Sequence, residues 1–290
     1  MEYEGQICRS PMERSSFMLP VMVGCSYNRC KFCMLFKHLT YRRLPMEQIF
    51  ADIRRVAGLG GDPKRVFLGD GNAFSLPAEE LLTILQEIRR AFPSCQGVNM
   101  DATVTSIAQK TDEQLRLLAQ AGASHLYIGI ESGLDDVLQL MDKDHHTSAQ
   151  AMEQIRRIQQ AGMVFDAHIM TGVAGKGRGR ENALALGEFF RRTRPSRVVN
   201  FSLFIHRRAP LYRLIQQGKF LPADEGETLE EERVLLHQLW NMEVEYDGFH
   251  DILPLRVRGK LPEDREKMLR KLEKALGDHG DAPWPTALVD

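Results

Sequence analysis

Cysteine is scarce in this chain, with five residues in 290. Two stand alone and three crowd into one short loop, which is no framework of paired disulfides. No apolar run approaches the roughly 20 residues that span a bilayer. The opening Met1-Glu2-Tyr3-Glu4-Gly5 lacks the basic stretch and apolar core of a secretory signal, so the expected compartment is the cytoplasm, with no membrane partner. Neither sign of charge is in excess: 38 Lys and Arg stand against 39 Asp and Glu, a formal net charge of −1. Such a balance gives no global field for a polyanion. The local basic clusters Arg178/Arg180, Arg191/Arg192/Arg194 and Arg207/Arg208 read as solvated faces, which makes nucleic acid the less favoured partner. Repeats and low-complexity stretches are also missing. What remains is an ordinary globular composition, 43% hydrophobic and 27% charged, long enough for one large core.

Against that background the segment Gly24-Cys25-Ser26-Tyr27-Asn28-Arg29-Cys30-Lys31-Phe32-Cys33 stands out. Four residues separate its first two cysteines and two separate the next pair. Three thiolates can hold three irons of a cubic 4Fe–4S cluster and leave the fourth open to a ligand. Two other readings fit the same residues: a zinc site completed by His38, or a disulfide with a spare thiol. Cys95 is expected near a helix end, and Cys8 is either a surface thiol or a site residue. A second cysteine cluster is absent from the C-terminal part, which argues against an auxiliary iron–sulfur centre.

After the cysteines, strand and helix alternate. Strands are expected at 17–23, 65–68, 97–104, 125–130, 164–170 and 197–205, from their short apolar runs. Helices are expected at 45–59, at 77 onward, after the Thr111 cap, and at 134–141, 148–160 and 180–192, from apolar residues at helical spacing. Strands separated by helices of 10–15 residues imply a parallel sheet. Six repeats are too few for a closed eight-stranded barrel, so the fold class is α/β, a partial (β/α)6 TIM barrel. The alternation stops near Ala209, and helices at 225–245 and 262–276 form a C-terminal helical extension. The division is therefore an N-terminal segment (1–16), the partial barrel (17–210), the helical extension (211–276) and a mobile tail (277–290).

Function in such a scaffold belongs at the carboxyl ends of the strands. There the chain places the cysteine loop, Gly69-Asp70-Gly71-Asn72, Asp101 with Thr103 and Thr105, Glu131-Ser132-Gly133, Thr171 to Gly175, and His206-Arg207-Arg208.

With these residues assembled, the chain resembles the radical S-adenosylmethionine (radical SAM) enzymes over roughly residues 17–210. Within them it is most similar to the branch of oxygen-independent coproporphyrinogen oxidase and the methylthiotransferases. The resemblance implies a 4Fe–4S cluster on Cys25, Cys30 and Cys33, with S-adenosylmethionine (SAM) chelating the open iron. It also implies reductive cleavage to a 5′-deoxyadenosyl radical that abstracts hydrogen, fed by an electron donor such as flavodoxin or ferredoxin. The spacing departs from the family pattern by one extra residue between Cys25 and Cys30. By resemblance, Phe32 lies by the adenine and Gly69, Asp70 and Gly71 form the turn that meets the SAM amino group. Asp101 is the third-strand acidic contact and Glu131 the fourth-strand polar one. Lys143 stands where relatives pair an arginine with the SAM carboxylate. His168 and Met170 fall at the ribose-binding and adenine-packing places, and Gly172 at the strand end that passes the adenine. A small organic substrate is expected, with His145, His146, His206, Arg207, Arg208 and the stretch Tyr246–Asp251 lining or covering its side. RNA modification, and a non-catalytic zinc or iron–sulfur module, are the alternatives.

Overall fold

A computed structural model describes residues 3–5, 8–250, 252–280 and 282–289 of the chain. The first part runs β1 (Phe17–Pro20), β2 (Met22–Val23), β3 (Arg42–Arg43), α1 (Met46–Gly58), β4 (Arg65–Gly69), α2 (Ala78–Ala91), β5 (Gly97–Ala102), α3 (Val104–Ala108) and α4 (Asp112–Ala121). The middle is β6 (Ala123–Glu131), α5 (Asp135–Leu140), α6 (Ser148–Gln160), β7 (Val164–Thr171), α7 (Gly179–Thr193), β8 (Arg197–Ser202) and β9 (Ile205–His206). The last part is α8 (Pro210–Gln216), α9 (Glu225–Gln238), β10 (Val244–His250), β11 (Leu255–Leu261), α10 (Arg265–Asp278) and β12 (Leu288–Val289).

One eight-stranded sheet has the order β1-β4-β5-β6-β7-β8-β10-β11. Its first six strands are those expected of a partial (β/α)6 barrel. β10 continues the sheet parallel to β8, and β11 closes it antiparallel to β10. Parallel neighbours need helical crossovers, and the intervening helices supply them. Local chemistry sets their ends. Thr111 caps α4 in a reciprocal box with Gln114, and left-handed Gly122 ends it. Pro77 sits at the cap of α2, whose inward face is Leu81, Ile84, Leu85 and Ile88.

The chain divides into two compact units. The first holds residues 1–28, 35–129 and 153–165; the second holds 29–34, 130–152 and 166–290. In the first, α1, α2 and α4 bury Ile49, Ile53, Leu81, Leu85, Leu115 and Leu118 around β1, β4 and β5. The N-terminal segment also enters this core: buried Glu13 accepts from Asn99 Nδ2 at 2.9 Å and from the Tyr127 hydroxyl at 2.7 Å. In the second, α7 and α9 pack together and bury Leu186, Phe189, Phe190, Leu235 and Leu236.

Three differences from the sequence expectation concern the C-terminal third. The helix expected to reach Glu245 stops at Gln238, and residues 244–250 with 255–261 form a β-hairpin. Val244, Tyr246 and Phe249 favour a pleated, half-buried surface, and the exposed edge of β8 offers hydrogen bonds that a helix there cannot take. The strand expected at 197–205 breaks after Ser202, and residues 205–206 pair instead with Leu288–Val289. In the tail, expected to be mobile, the described residues add to that pairing a bond from Glu225 N to Pro285 O and Trp284 stacked on His279 at 3.5 Å.

Candidate functional site

In the first unit, β4 ends in the turn Gly69-Asp70-Gly71-Asn72. Gly71 has φ 44°, and a Cβ there would lie 2.5 Å from Gly24 O and 2.7 Å from the Cα of Cys25. Only glycine lets this backbone lie directly on the start of the cysteine loop. Asn72 Nδ2 donates to Ser26 Oγ at 3.3 Å and to Thr103 Oγ1 at 3.1 Å, joining the turn to the loop and to the cap of α3. Lys110 braces the turn from below, its Nζ donating to Phe74 O at 2.7 Å and to Leu76 O at 3.0 Å. Burial pushes the Lys110 ammonium down to about 8.

Asp70 is buried, and among the described residues its Oδ1 has no hydrogen-bond partner. Burial pushes its carboxyl up to about 6, against the pull of the Cys8 and Gly24 backbone N–H groups. Cys8 is therefore beside the site residue Asp70, while Cys95 sits beyond α2 with its Sγ 3.5 Å from Gly97 O, near a helix end as expected. A cavity of about 280 Å³ opens at Asp70, lined also by Tyr3, Pro20, Met22, Arg42 and Gln48. Asp101 lies half-buried on β5, opposite Tyr127.

In the second unit, residues 29–34 carry Cys30, Phe32 and Cys33. Lys31 anchors them: its N–H donates to Met141 O at 2.9 Å, its O accepts from Leu211 N at 2.9 Å, and its Nζ reaches Leu140 O at 2.6 Å. Phe32 and Met170 pack against one apolar cluster that includes Val137, Met141, Val173 and Leu203. Glu131 ends β6 in a left-handed conformation, φ 59°, and its Oε1 is 3.0 Å from Lys143 Nζ. Burial pushes the Lys143 ammonium down, but Glu131, the Cys30 sulfur and Asp144 more than offset this, and it stays well above its ordinary value. His168 is pushed down to about 3, by burial and then by Lys143, so its imidazole is neutral at physiological pH. Cys30, Glu131, Lys143 and His168 thus form one electrostatic group.

Several supporting residues escaped the sequence reading. Ser132 Oγ and Gly133 N donate to Asn182 Oδ1, at 2.7 and 3.1 Å. Asn182 Nδ2 donates to Glu231 Oε1 at 2.7 Å, and Glu231 Oε2 accepts from Gly172 N at 2.8 Å. This chain links the end of β6 to the end of β7 through α7 and α9. Gly172, φ 81°, has no room for a side chain, since a Cβ would lie 2.6 Å from Thr228 Cγ2. Burial first of all pushes Glu231 up to about 7. At the next residue, buried Glu232 meets His250 Nε2 at 2.8 Å, the Tyr246 hydroxyl at 2.8 Å and Asn200 Nδ2 at 3.2 Å. Burial alone would lower His250, but Glu225 and Glu232 raise it to about 9. The only sequence trace of all this was the run Glu230-Glu231-Glu232, which reads as a solvated face.

Among the residues expected to line a substrate, Tyr246 and His250 turn toward α9 instead, because alternate strand residues point to opposite faces. Asp251 lies outside the described residues. His146 is buried, His145 lies 3.4 Å from Asp142, and Arg207 contacts the Tyr212 ring.

Among the described residues, no two cysteines are joined in a disulfide. Among the described residues, no three His, Cys, Asp or Glu gather closely enough for a single metal ion. A cluster that takes one thiolate per iron does not require such a gathering. In the first unit, the glycine cradle on Cys25 and the Asp70 Oδ1 that finds no partner among the described residues suit a thiolate-held cluster with an amine-bearing ligand beside it.

The sheet has the architecture of a partial TIM barrel. Residues 19–188, more than half of the chain, match the Radical SAM superfamily, and the chain belongs to it. Enzymes of this family use a 4Fe–4S cluster and SAM. Among curated proteins the chain is 29% identical over 164 residues to tRNA-2-methylthio-N(6)-dimethylallyladenosine synthase of Hahella chejuensis, covering 52% of this chain and 35% of that one. It is 25% identical over 174 residues to the heme chaperone HemW of Bacillus subtilis, covering 57% and 44%. The chain thus spans less than half the length of either relative. Among solved structures, coproporphyrinogen III oxidase (HemN) of Escherichia coli superposes with a TM-score of 0.57 at 14% identity, over 77% of this chain and 52% of that one. Methylornithine synthase (PylB) gives 0.52 at 14% identity, over 90% and 81%. These likenesses concern the fold. Among the described residues, no helix is long and apolar enough to cross a membrane.

Proposed function

We propose that the protein cleaves SAM reductively and directs the product radical at a small organic substrate. When bound, the cluster supplies one electron to the sulfonium and thereby generates a 5′-deoxyadenosyl radical for hydrogen abstraction. Cys25, Cys30 and Cys33 supply its thiolates. The backbone of Gly69–Gly71 and the Asp70 carboxylate receive the SAM amino group, and Lys143 faces the SAM carboxylate while Glu131 holds the ammonium in place. Phe32 and Met170 pack the adenine, and neutral His168 with Glu131 offers hydrogen bonds to the ribose. Asp101 adds a polar contact, and Gly172 leaves room for the nucleoside at the strand end. The observation that carries this reading is the three-cysteine loop inside the matched family domain.

An electron donor such as flavodoxin or ferredoxin completes the reaction, with the cytoplasm as the compartment. A small substrate is favoured over RNA because the net charge is near zero and part of each of two basic clusters is paired with carboxylates. Arg178 pairs with Asp136 and Glu181, and Arg191 and Arg192 both pair with Glu188. Anaerobic reconstitution tests the proposal. Close to four irons per chain and reductant-dependent 5′-deoxyadenosine are the expected results; colourless protein with one zinc would end it.

A further inference from the structure

The two faces of the sheet differ across β7, β8, β10 and β11. One face carries Ile169, Val198, Asn200, Tyr246 and Val257, all buried. The other carries His168, Met170, Phe201, Phe249 and Arg256, all half-buried, and exposed Arg258, around the buried Val199 and Asp247. The register aligns them in a row. Met170 lies opposite Phe201, Phe201 opposite Phe249, and Phe249 opposite Arg256. The side chains touch along that row. His168 meets Phe201 edge-on at 5.8 Å, Phe201 and Phe249 stack at 5.7 Å with 17° between planes, and the Arg256 guanidinium lies 4.4 Å over the Phe249 ring.

Arg256 is held in that pose by the buried Asp247, which accepts from its Nε at 2.7 Å. Arg258, opposite Asp247 in register, extends the positive edge. Packing alone would cover two phenylalanine rings, as the opposite face of the same strands is covered. Here they stay accessible, beside the histidine that senses Lys143. Aromatic faces flanked by guanidinium groups suit a flat π-system that carries an anionic group.

We propose that this four-strand shelf is the substrate site and that the substrate is a planar, conjugated small molecule bearing a carboxylate or phosphate. The assignment rests on the SAM-cleaving reading, since it places that substrate next to the radical source. The ring system lies on Phe201 and Phe249, and the anion reaches Arg256 and Arg258. Phe249 falls within the 246–251 stretch expected to line the substrate side, and the hairpin that the sequence reading missed brings it to Phe201.

Fluorescence titration of the reconstituted full chain tests this. Flavin mononucleotide and pterin-6-carboxylate serve as phosphate and carboxylate probes, with riboflavin and pterin as their uncharged counterparts. At least one anionic probe is expected to bind, several-fold more tightly than its neutral counterpart, and the arm that binds identifies the anion. Phe249→Leu should weaken that binding about tenfold, the scale of lost base–aromatic stacking. Arg258→Gln, an exposed change compatible with folding, should weaken the anionic probe several-fold and leave the neutral one unaffected. No binding of either anionic probe at millimolar concentration, or equal binding by wild type and Arg258→Gln, would overturn the shelf. Iron content and 5′-deoxyadenosine from the same wild-type sample report on the SAM reading separately.

Discussion

Between residues 65 and 110 the polar groups of the site are arranged by backbone; between residues 130 and 260 they are arranged by buried charge. In the first region Gly71 lies on Cys25 because it has no Cβ, and Asn72 and Lys110 hold the turn mostly through neutral oxygens. In the second, Glu131–Lys143 and Glu225–His250–Glu232 are ion pairs at or near full burial, and Asp247 sets a buried carboxylate against the half-buried Arg256. A glycine turn costs little desolvation and tolerates no side chain. A buried ion pair gives up hydration and must keep every partner. The first kind of site fails by steric intrusion, the second by an unmatched charge.

The comparison can be broken most completely at the cysteine loop. Cys30→Ala removes one thiolate, and both cluster absorbance and 5′-deoxyadenosine should vanish; retention of either contradicts the ligand assignment. Next in size is Lys143→Ala, which leaves the buried Glu131 carboxylate unpaired. Denaturant unfolding should show a loss of about 3–5 kcal/mol, and a loss within error of zero would mean that the pair is solvated.

His250→Gln sharpens the contrast through pH. The folded pKa of about 9 lies above the ordinary 6.5. Its stabilisation is therefore fully present below pH 6.5 and is lost as pH rises through 9. That window is worth on the order of 3 kcal/mol in wild type, and the variant should show a flatter pH–stability curve across it. Gly71→Ala attacks the other region. A Cβ at φ 44° presses on Gly24 and Cys25, so SAM affinity by equilibrium dialysis should drop about tenfold while the second region's pH response stays intact. A second pH test is Glu231→Gln. Glu231 is raised to about 7, so in wild type the unfolded chain sheds its proton first and stability falls between pH 4.5 and 7. Loss of that slope in the variant is the expected reading of thermal unfolding.

The same contrast explains what could be read in advance. Thr111 before an amphipathic run, Pro77 at a helix start and the apolar strands all act over a few residues, and the elements appear where those signals are. The cysteine spacing and Gly69-Asp70-Gly71 are likewise contiguous, so they could be picked out as a motif. Asn182, Glu231 and Glu232 could not. Each looks like a surface residue in its own helix and becomes a buried hydrogen-bond partner only when α7 and α9 pack. The hairpin 244–261 was hidden for a related reason. Its charged residues and glycines carry weak strand propensity, and the open edge of β8 makes the difference.

By itself, then, the order of residues determined the alternating strands and helices, their ends, and a thiol trio able to carry iron, because those depend on short-range geometry and side-chain chemistry. Tertiary structure alone decided which glutamates lose their water, which face of β10 looks outward, and that Phe201 meets Phe249. Burial and cross-strand contact depend on segments far apart in the chain, and no local pattern encodes the partner that will arrive.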